Sequence, residues 1–228
     1  MTIRTLFVLA ALIALPLNAQ EKAQTKAKPK ASGVLAPIQD VAGLPRVLLI
    51  GDSISMGYTL PVRTLLNGKA NVHRIPQNGG PTKNGIARVD AWLGTSKWDV
   101  IHFNHGIHDV KIMPDGKRQV EPDAYEANLR ALVAKLKATG AKVIFATSTP
   151  IPPSPLMGNR SFGSEKEYNA IATKVMTESG VQVNDLHTYM LPRFAEFQIA
   201  NDLHYQPAGY EFLAQSVAEV IAAALPKK

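Results

Sequence analysis

The sequence predicts an α/β protein in three layers, a five-stranded parallel sheet with helices on both faces. Three observations lead there. Short apolar, β-branched runs alternate with helical patterns from Leu44 to Leu225, the order that packs helices over a parallel sheet. The first run, RVLLIG at 46–51, is apolar without a break, as a strand buried on both faces must be. A chain of 228 residues with 46% hydrophobic content suffices for one well-buried core but is short for two.

Each element follows from its local pattern. TLPVRTLLNG (59–68) reads as a short helix, with Pro61 in its first turn and Gly68 just past its end. ANVHRIP (70–76) is a second, weaker strand. NGIARVDAWLG (84–94) is a helix capped by Asn84, with Ile86, Val89 and Leu93 on one face. WDVIHFN (98–104) is the third strand. DAYEANLRALVAKLKATG (123–140) carries the stripe Leu129, Leu132, Val133 and Leu136, and stops at Gly140. AKVIFATST (141–149) is the fourth strand. SEKEYNAIATKVMTESG (164–180) opens on a capping box of Ser164 and Glu167. VQVND (181–185) is a short fifth strand, and PAGYEFLAQSVAEVIAAAL (207–225) is the closing helix.

The start of the chain reads as a targeting signal. Arg4 precedes about a dozen apolar residues, LFVLAALIALPL, and then small Ala19 at the position before a cut. That run is short for a bilayer span. The expectation is a signal peptide over 1–19, export to the periplasm or beyond the cell, and no stable membrane anchor after cleavage. A flexible Ala/Lys/Pro-rich spacer is expected over 20–44, and one folded domain over 45–228. Most of the +7 net charge belongs to the tails: without Arg4, Lys22, Lys26, Lys28, Lys30, Glu21, Lys227 and Lys228 the body is left near +1. The basic balance therefore argues against a nucleic-acid partner. Zero cysteines exclude disulfides, thiolate metal sites, a cysteine nucleophile and a lipid-modified cysteine anchor.

In open parallel sheets, sites form beyond the carboxyl ends of the strands. Four loops on that edge carry chemistry: GDS at 51–53, PQNGGPTKNG at 76–85, NHGIHD at 104–109 and NDLHYQPAGY at 201–210. Together they offer a hydroxyl, glycine backbone amides, an amide side chain and an Asp-x-His pair. Acyl transfer needs such parts: a serine nucleophile, a base in reach, a carboxylate to orient the base, and donors for the oxyanion. Any one piece alone is weak, and a serine after a strand is commonly a helix cap.

The pattern resembles the SGNH hydrolases, the GDSL esterase/lipase family, over roughly 45–225. GDSIS (51–55) matches the family's first block, NGGPT (78–82) the second, GIHD (106–109) the third, and the segment ending in AGY (208–210) the last. The resemblance implies a flavodoxin-like three-layer sandwich. It also implies Ser53 as nucleophile, His204 as base, and an oxyanion hole built from the Ser53 and Gly80 amides.

Two departures stand out. His108 replaces the third block's asparagine, so the remaining oxyanion donor is either His108 or Asn104. Asn104 is the better candidate at this level, because a neutral amide donates at any pH. In the last block the family's aspartate position, Asp-x-x-His, falls on Asn201. Asp202 stands one residue nearer and is the expected orienter, a backbone carbonyl with a Ser-His dyad being the other arrangement. Asp52 and Asp109 are expected to brace their loops. His102 reads as a core residue and His105 as a pocket wall. Arg160 could meet an acidic sugar or be a solvated loop charge.

The resulting expectation is an exported serine esterase with no cofactor or metal. It would hydrolyse small acyl groups, O-acetyl above all, from a small-molecule or polysaccharide ester; acyl transfer to a second sugar is left open. The alternatives are a non-catalytic carbohydrate-binding protein on the same fold, and a metal-dependent hydrolase using His102, His105 and His108.

Overall fold

A computed structural model describes residues 33–154 and 159–227; the expected signal peptide over 1–19 lies outside the described residues. Five strands, β1 (Arg46–Ile50), β2 (Asn71–Arg74), β3 (Val100–Phe103), β4 (Lys142–Ala146) and β5 (Gln182–Asn184), form one sheet. All neighbours are parallel, in the order β2-β1-β3-β4-β5. This is the predicted three-layer α/β architecture, and the order reverses direction between β1 and β3. At such a switch point the loops leaving two adjacent strands part to opposite faces and leave a crevice. The turn after β1 holds Ser53, and the loop after β3 holds Asn104 and His108.

Alternate residues of each strand feed two cores. Leu48, Ile50, Ile101, Phe103 and Phe145 pack with α2 (Thr82–Leu93), α3 (Pro122–Ala138) and α4 (Glu165–Glu178). Val47, Leu49, Val100, Ile144 and Ala146 pack with α1 (Ser53–Leu65) and α7 (Pro207–Ala224). Two-residue alternation across a sheet covered on both sides explains why β1 carries no polar position between Val47 and Ile50.

Several local expectations need correction. The first helix begins at Ser53, not at 59, because Asp52 caps it: the Asp52 carboxylate accepts from Ile54 N at 2.9 Å. Pro61 therefore lies inside the helix rather than in its first turn. Beside it Gly57 has a packing role, since a Cβ there would come within 2.1 Å of the Tyr210 ring. Asn84 is not a cap, because α2 already starts at Thr82 after Pro81. Ser164 makes no capping bond; its hydroxyl donates to Ser161 O at 2.7 Å. Two short helices, α5 (Leu186–Met190) and α6 (Phe194–Phe197), occupy a stretch left unassigned by pattern.

Of the expected spacer over 20–44, residues 20–32 lie outside the described residues, and its last residues make polar contacts with the sheet. Asn71 exchanges hydrogen bonds with the Val41 backbone at 2.8 and 3.0 Å and also donates to Leu44 O. Asp40 pairs with Arg46 at 2.8 Å and with His73 at 2.5 Å. Residues 40–44 are thus tied to the first two strands by polar groups that composition alone does not pair.

Candidate active site

The nucleophile turn comes from three constraints. β1 ends at Ile50; Gly51 follows, and its carbonyl accepts from Gly79 N at 2.9 Å. Asp52 then opens α1, so Ser53 is its first helical residue. The first-turn amides of a helix have no partner within it. Ser53 thus brings a hydroxyl and an unspent backbone donor to the carboxyl edge of the sheet.

The residues opposite arrive on a small hairpin. Gln198 and Tyr205 form an antiparallel bridge, and Ile199 N donates to His204 O at 3.0 Å. Asn201 takes φ +56, a left-handed turn conformation that asparagine tolerates better than most residues. That turn folds Asp202 back over its own chain, where Oδ1 accepts from His204 N at 3.1 Å and from His204 Nδ1 at 2.6 Å. With its proton on Nδ1, His204 presents Nε2 as an acceptor, and Ser53 Oγ lies 2.8 Å from it. The Asp-x-His spacing works because the carboxylate reaches its partner through an Asx-type turn. Burial opposes ionisation of Asp202, but the hydrogen bonds from His204 outweigh it and hold the carboxyl below its usual range.

Gly80 has φ +62, and its amide donates to Asn78 Oδ1 at 2.9 Å. On the far side of the loop, His105 Nδ1 donates to Gly80 O at 2.9 Å. His105 is thus a strut under the Gly80 loop as well as a buried wall, and burial lowers its pKa. Asp109 extends the bracing. It is fully buried and accepts from Thr82 N at 2.8 Å and Thr82 Oγ1 at 2.5 Å, locking the loop after β3 to the start of α2. Its second oxygen is buried without a partner, and burial pushes the carboxyl up to about 7.

Asn104 and His108 differ more than the sequence suggests. Asn104 Nδ2 donates to Ala146 O at 2.7 Å, tying the end of β3 to β4. One N–H of the amide is engaged in this buried structural bond, and the second remains to donate. His108 is near enough to the site for its ionisation to feel Asp52, Arg160, Lys111 and His204. Burial is the largest of these influences and lowers its pKa, so it is held as a neutral ring with one N–H to donate.

The three histidines do not converge. His102 is buried in the sheet, accepts from Asn184 at 3.3 Å, and has its pKa driven down to about 3 by burial. His105 faces Gly80, and His108 lies within electrostatic range of Asp52 and His204. Among the described residues no group of three or more His, Cys, Asp or Glu side chains is arranged to hold a metal. Arg160 is buried, with its Nε donating to Ile107 O, and is not a solvated charge.

Sequence reasoning misses one residue. Arg74 at the end of β2 donates to Ser55 Oγ at 2.6 Å, to Gly51 O at 2.9 Å and to Asp52 O at 3.1 Å. A charged residue closing a strand beside the nucleophile turn is the available signal.

A parallel sheet with a hydroxyl, an imidazole and a carboxylate in line at its switch point is an arrangement suited to serine-type acyl transfer. Comparison with known proteins then narrows the class. The model of the GDSL-like lipase/acylhydrolase family matches residues 49–212, and the chain belongs to that family. An arylesterase from Vibrio mimicus is 24% identical over 192 residues, covering 76% of this chain and 86% of the relative. The lipase/acylhydrolase of Enterococcus faecalis shares the fold with a TM-score of 0.70 at 24% identity, over 81% of this chain and 99% of that one. An acetylxylan esterase from Geobacillus stearothermophilus does so with a TM-score of 0.64 at 21% identity, over 78% and 94%. The protein is a carboxylic ester hydrolase of the GDSL type.

Proposed function

We propose that this esterase removes small acyl groups, O-acetyl in particular, from carbohydrate through an acyl-enzyme on Ser53. The observation that carries the mechanism is the continuous relay Ser53–His204–Asp202 at 2.8 and 2.6 Å. Ser53 Oγ attacks the ester carbonyl carbon while His204 Nε2 takes its proton. The Nδ1–H bond to Asp202 keeps the ring in the required tautomer and stabilises the imidazolium. The new oxyanion meets Ser53 N, Gly80 N and the His108 ring N–H. Gly80 N becomes available when the Asn78 side chain turns away, and Asn104 acts from behind by holding β3 to β4. Collapse breaks the ester C–O bond, and Nε2 returns its proton to the leaving alcohol. Water then repeats the sequence on the acyl-enzyme and releases the acid.

Support for acetyl as the acyl group and sugar as the alcohol comes from relatives of the same fold. Two structural neighbours with TM-scores of 0.67 and 0.64 are acetylxylan esterases. We also propose that the chain is exported by residues 1–19. No helix among the described residues is long and apolar enough to cross a membrane.

The test is acetate release from acetylated xylan and from p-nitrophenyl acetate by the wild type and Ser53→Ala. Loss of both activities in a variant with unchanged circular dichroism is expected. Equal turnover by Ser53→Ala would overturn the nucleophile, and hydrolysis of p-nitrophenyl acetate without acetate release from acetylated sugars would overturn the substrate.

A further inference from the structure

We infer that Arg74 is a positioning residue for this chemistry. By gripping the backbone carbonyls of the nucleophile turn, it aims and polarises the peptide whose N–H belongs to Ser53. The inference rests on the reading of Ser53 N as an oxyanion donor and adds the element that makes it one.

The geometry is that of a single peptide plane. The Asp52 carbonyl and the Ser53 amide share a trans peptide unit, so the oxygen and the N–H point in opposite directions. Whatever holds Asp52 O on one side directs Ser53 N–H to the other. Three donors hold it: Arg74 Nη2 at 3.1 Å, Ser55 Oγ at 2.9 Å and Met56 N at 3.0 Å. The preceding carbonyl is pinned likewise, Gly51 O accepting from Arg74 Nη2 at 2.9 Å and from Gly79 N at 2.9 Å. The other arm of the guanidinium, Nη1, closes the clamp on Ser55 Oγ at 2.6 Å.

The bonds of Arg74 go to two carbonyls and a hydroxyl, not to a carboxylate, so its role is not simple charge neutralisation. A cation on the oxygen side of an amide draws electron density from its nitrogen and strengthens the N–H as a donor. Chains of hydrogen bonds reinforce one another in this way in a low-dielectric interior. Burial lowers the Arg74 pKa only to about 10, so the group stays charged at neutral pH. The planar fork matters, because one ammonium on a flexible stem does not reproduce three directed bonds. β2 is the neighbour of β1, which brings the end of Arg74's strand beside the turn.

The experiment uses Arg74→Lys and Arg74→Gln, with Ser55→Ala as a gentler variant that removes one donor to Asp52 O and the Nη1 anchor. Two quantities are read: kcat/KM for phenyl acetate, and Ki for an aryl trifluoromethyl ketone. Ser53 Oγ adds to the ketone carbon, His204 takes the proton, and the resulting hemiketal oxygen is an anion in the oxyanion position. The inference expects both kcat/KM and 1/Ki to fall together, about 10- to 100-fold in the arginine variants, a fraction of what losing a whole donor costs. Ser55→Ala should lose several-fold in both, and KM for phenyl acetate should move less than kcat. Lowered kcat/KM with an unchanged ketone Ki in a folded variant overturns the inference, as does unaltered kcat/KM in Ser55→Ala. If the wild type fails to hydrolyse phenyl acetate, or Ser53→Ala retains the activity, the functional reading fails first and separately.

Discussion

Replacing Asp202 by asparagine removes a charge and keeps the shape. The amide introduced there would still offer an oxygen to His204 Nδ1–H in the same Asx-type turn, so the change isolates the electrostatic part of the relay. Its size follows from distance and exposure. The carboxylate and imidazolium charge centres lie roughly 4 Å apart, which corresponds to about 1 kcal/mol in bulk water and about 4 kcal/mol at an effective dielectric near 20. The side chains of His204 and Asp202 are 40% and 45% exposed, so solvent screens the pair and the upper figure does not apply in full. We expect kcat/KM for p-nitrophenyl acetate to fall about 10- to 1,000-fold, less than the roughly 10⁴-fold typical of a buried triad aspartate. Asn201→Gly, which keeps the left-handed turn while deleting the side chain, should stay within about threefold, because the Asn201 amide only approaches Ser154 Oγ at 3.4 Å. A larger loss in Asn201→Gly than in Asp202→Asn would refute the assignment of the acid.

Further expectations concern pH, the oxyanion side and packing. The Asp109 pKa is raised by burial from an unfolded value near 3.8 to about 7. The native state then keeps a proton that the unfolded chain releases, so this group's contribution to stability falls as pH rises from about 4 to 7. Asp109→Asn should show a shallower decline of the melting midpoint over that range, and parallel curves for the two proteins would refute the buried-acid account. His108→Ala should lower kcat/KM by about 10- to 100-fold with little change in melting midpoint. Asn104→Ala should cost about 1–3 kcal/mol of stability by leaving the buried Ala146 carbonyl without its donor. The reverse pattern in kinetics and melting would return the oxyanion role to Asn104. Gly57→Ala would force a methyl to within 2.1 Å of the Tyr210 ring, and should cost about 1–3 kcal/mol in chemical denaturation as α7 shifts from α1. An unchanged denaturation midpoint would refute that packing.

The sheet and its helical crossovers are legible because continuous apolar strands and 3.6-residue stripes report burial directly. Val47 to Ile50 can only be a strand covered on both faces, and Leu129, Leu132, Val133 and Leu136 can only face a core. The helix start at Ser53 is not legible, because an N-cap is a matter of one side chain reaching one amide, and by pattern Asp52 serves equally as a brace. Ser53 and His204 are legible from their loops, since the parallel topology sends those loops to a common edge. Asp202 is expected behind His204 from its place in the loop, but how it reaches the ring is not legible, because a positive φ at Asn201 and a two-residue Asx turn depend on the hairpin closing between Gln198 and Tyr205.

The sequence by itself determined the order of elements, the edge on which the chemistry lies, and the residue types gathered there. These follow from short-range pattern and from chain connectivity. Only the tertiary structure decided how those residues pair. Asn104 turns to Ala146, His105 supports Gly80, Asp109 binds Thr82, and Arg74 clamps the turn that presents Ser53. Each of these is a hydrogen bond between residues at least 22 positions apart. A bond of a few ångströms between distant parts of the chain leaves no trace in local sequence pattern, because only the packed sheet sets its length and direction.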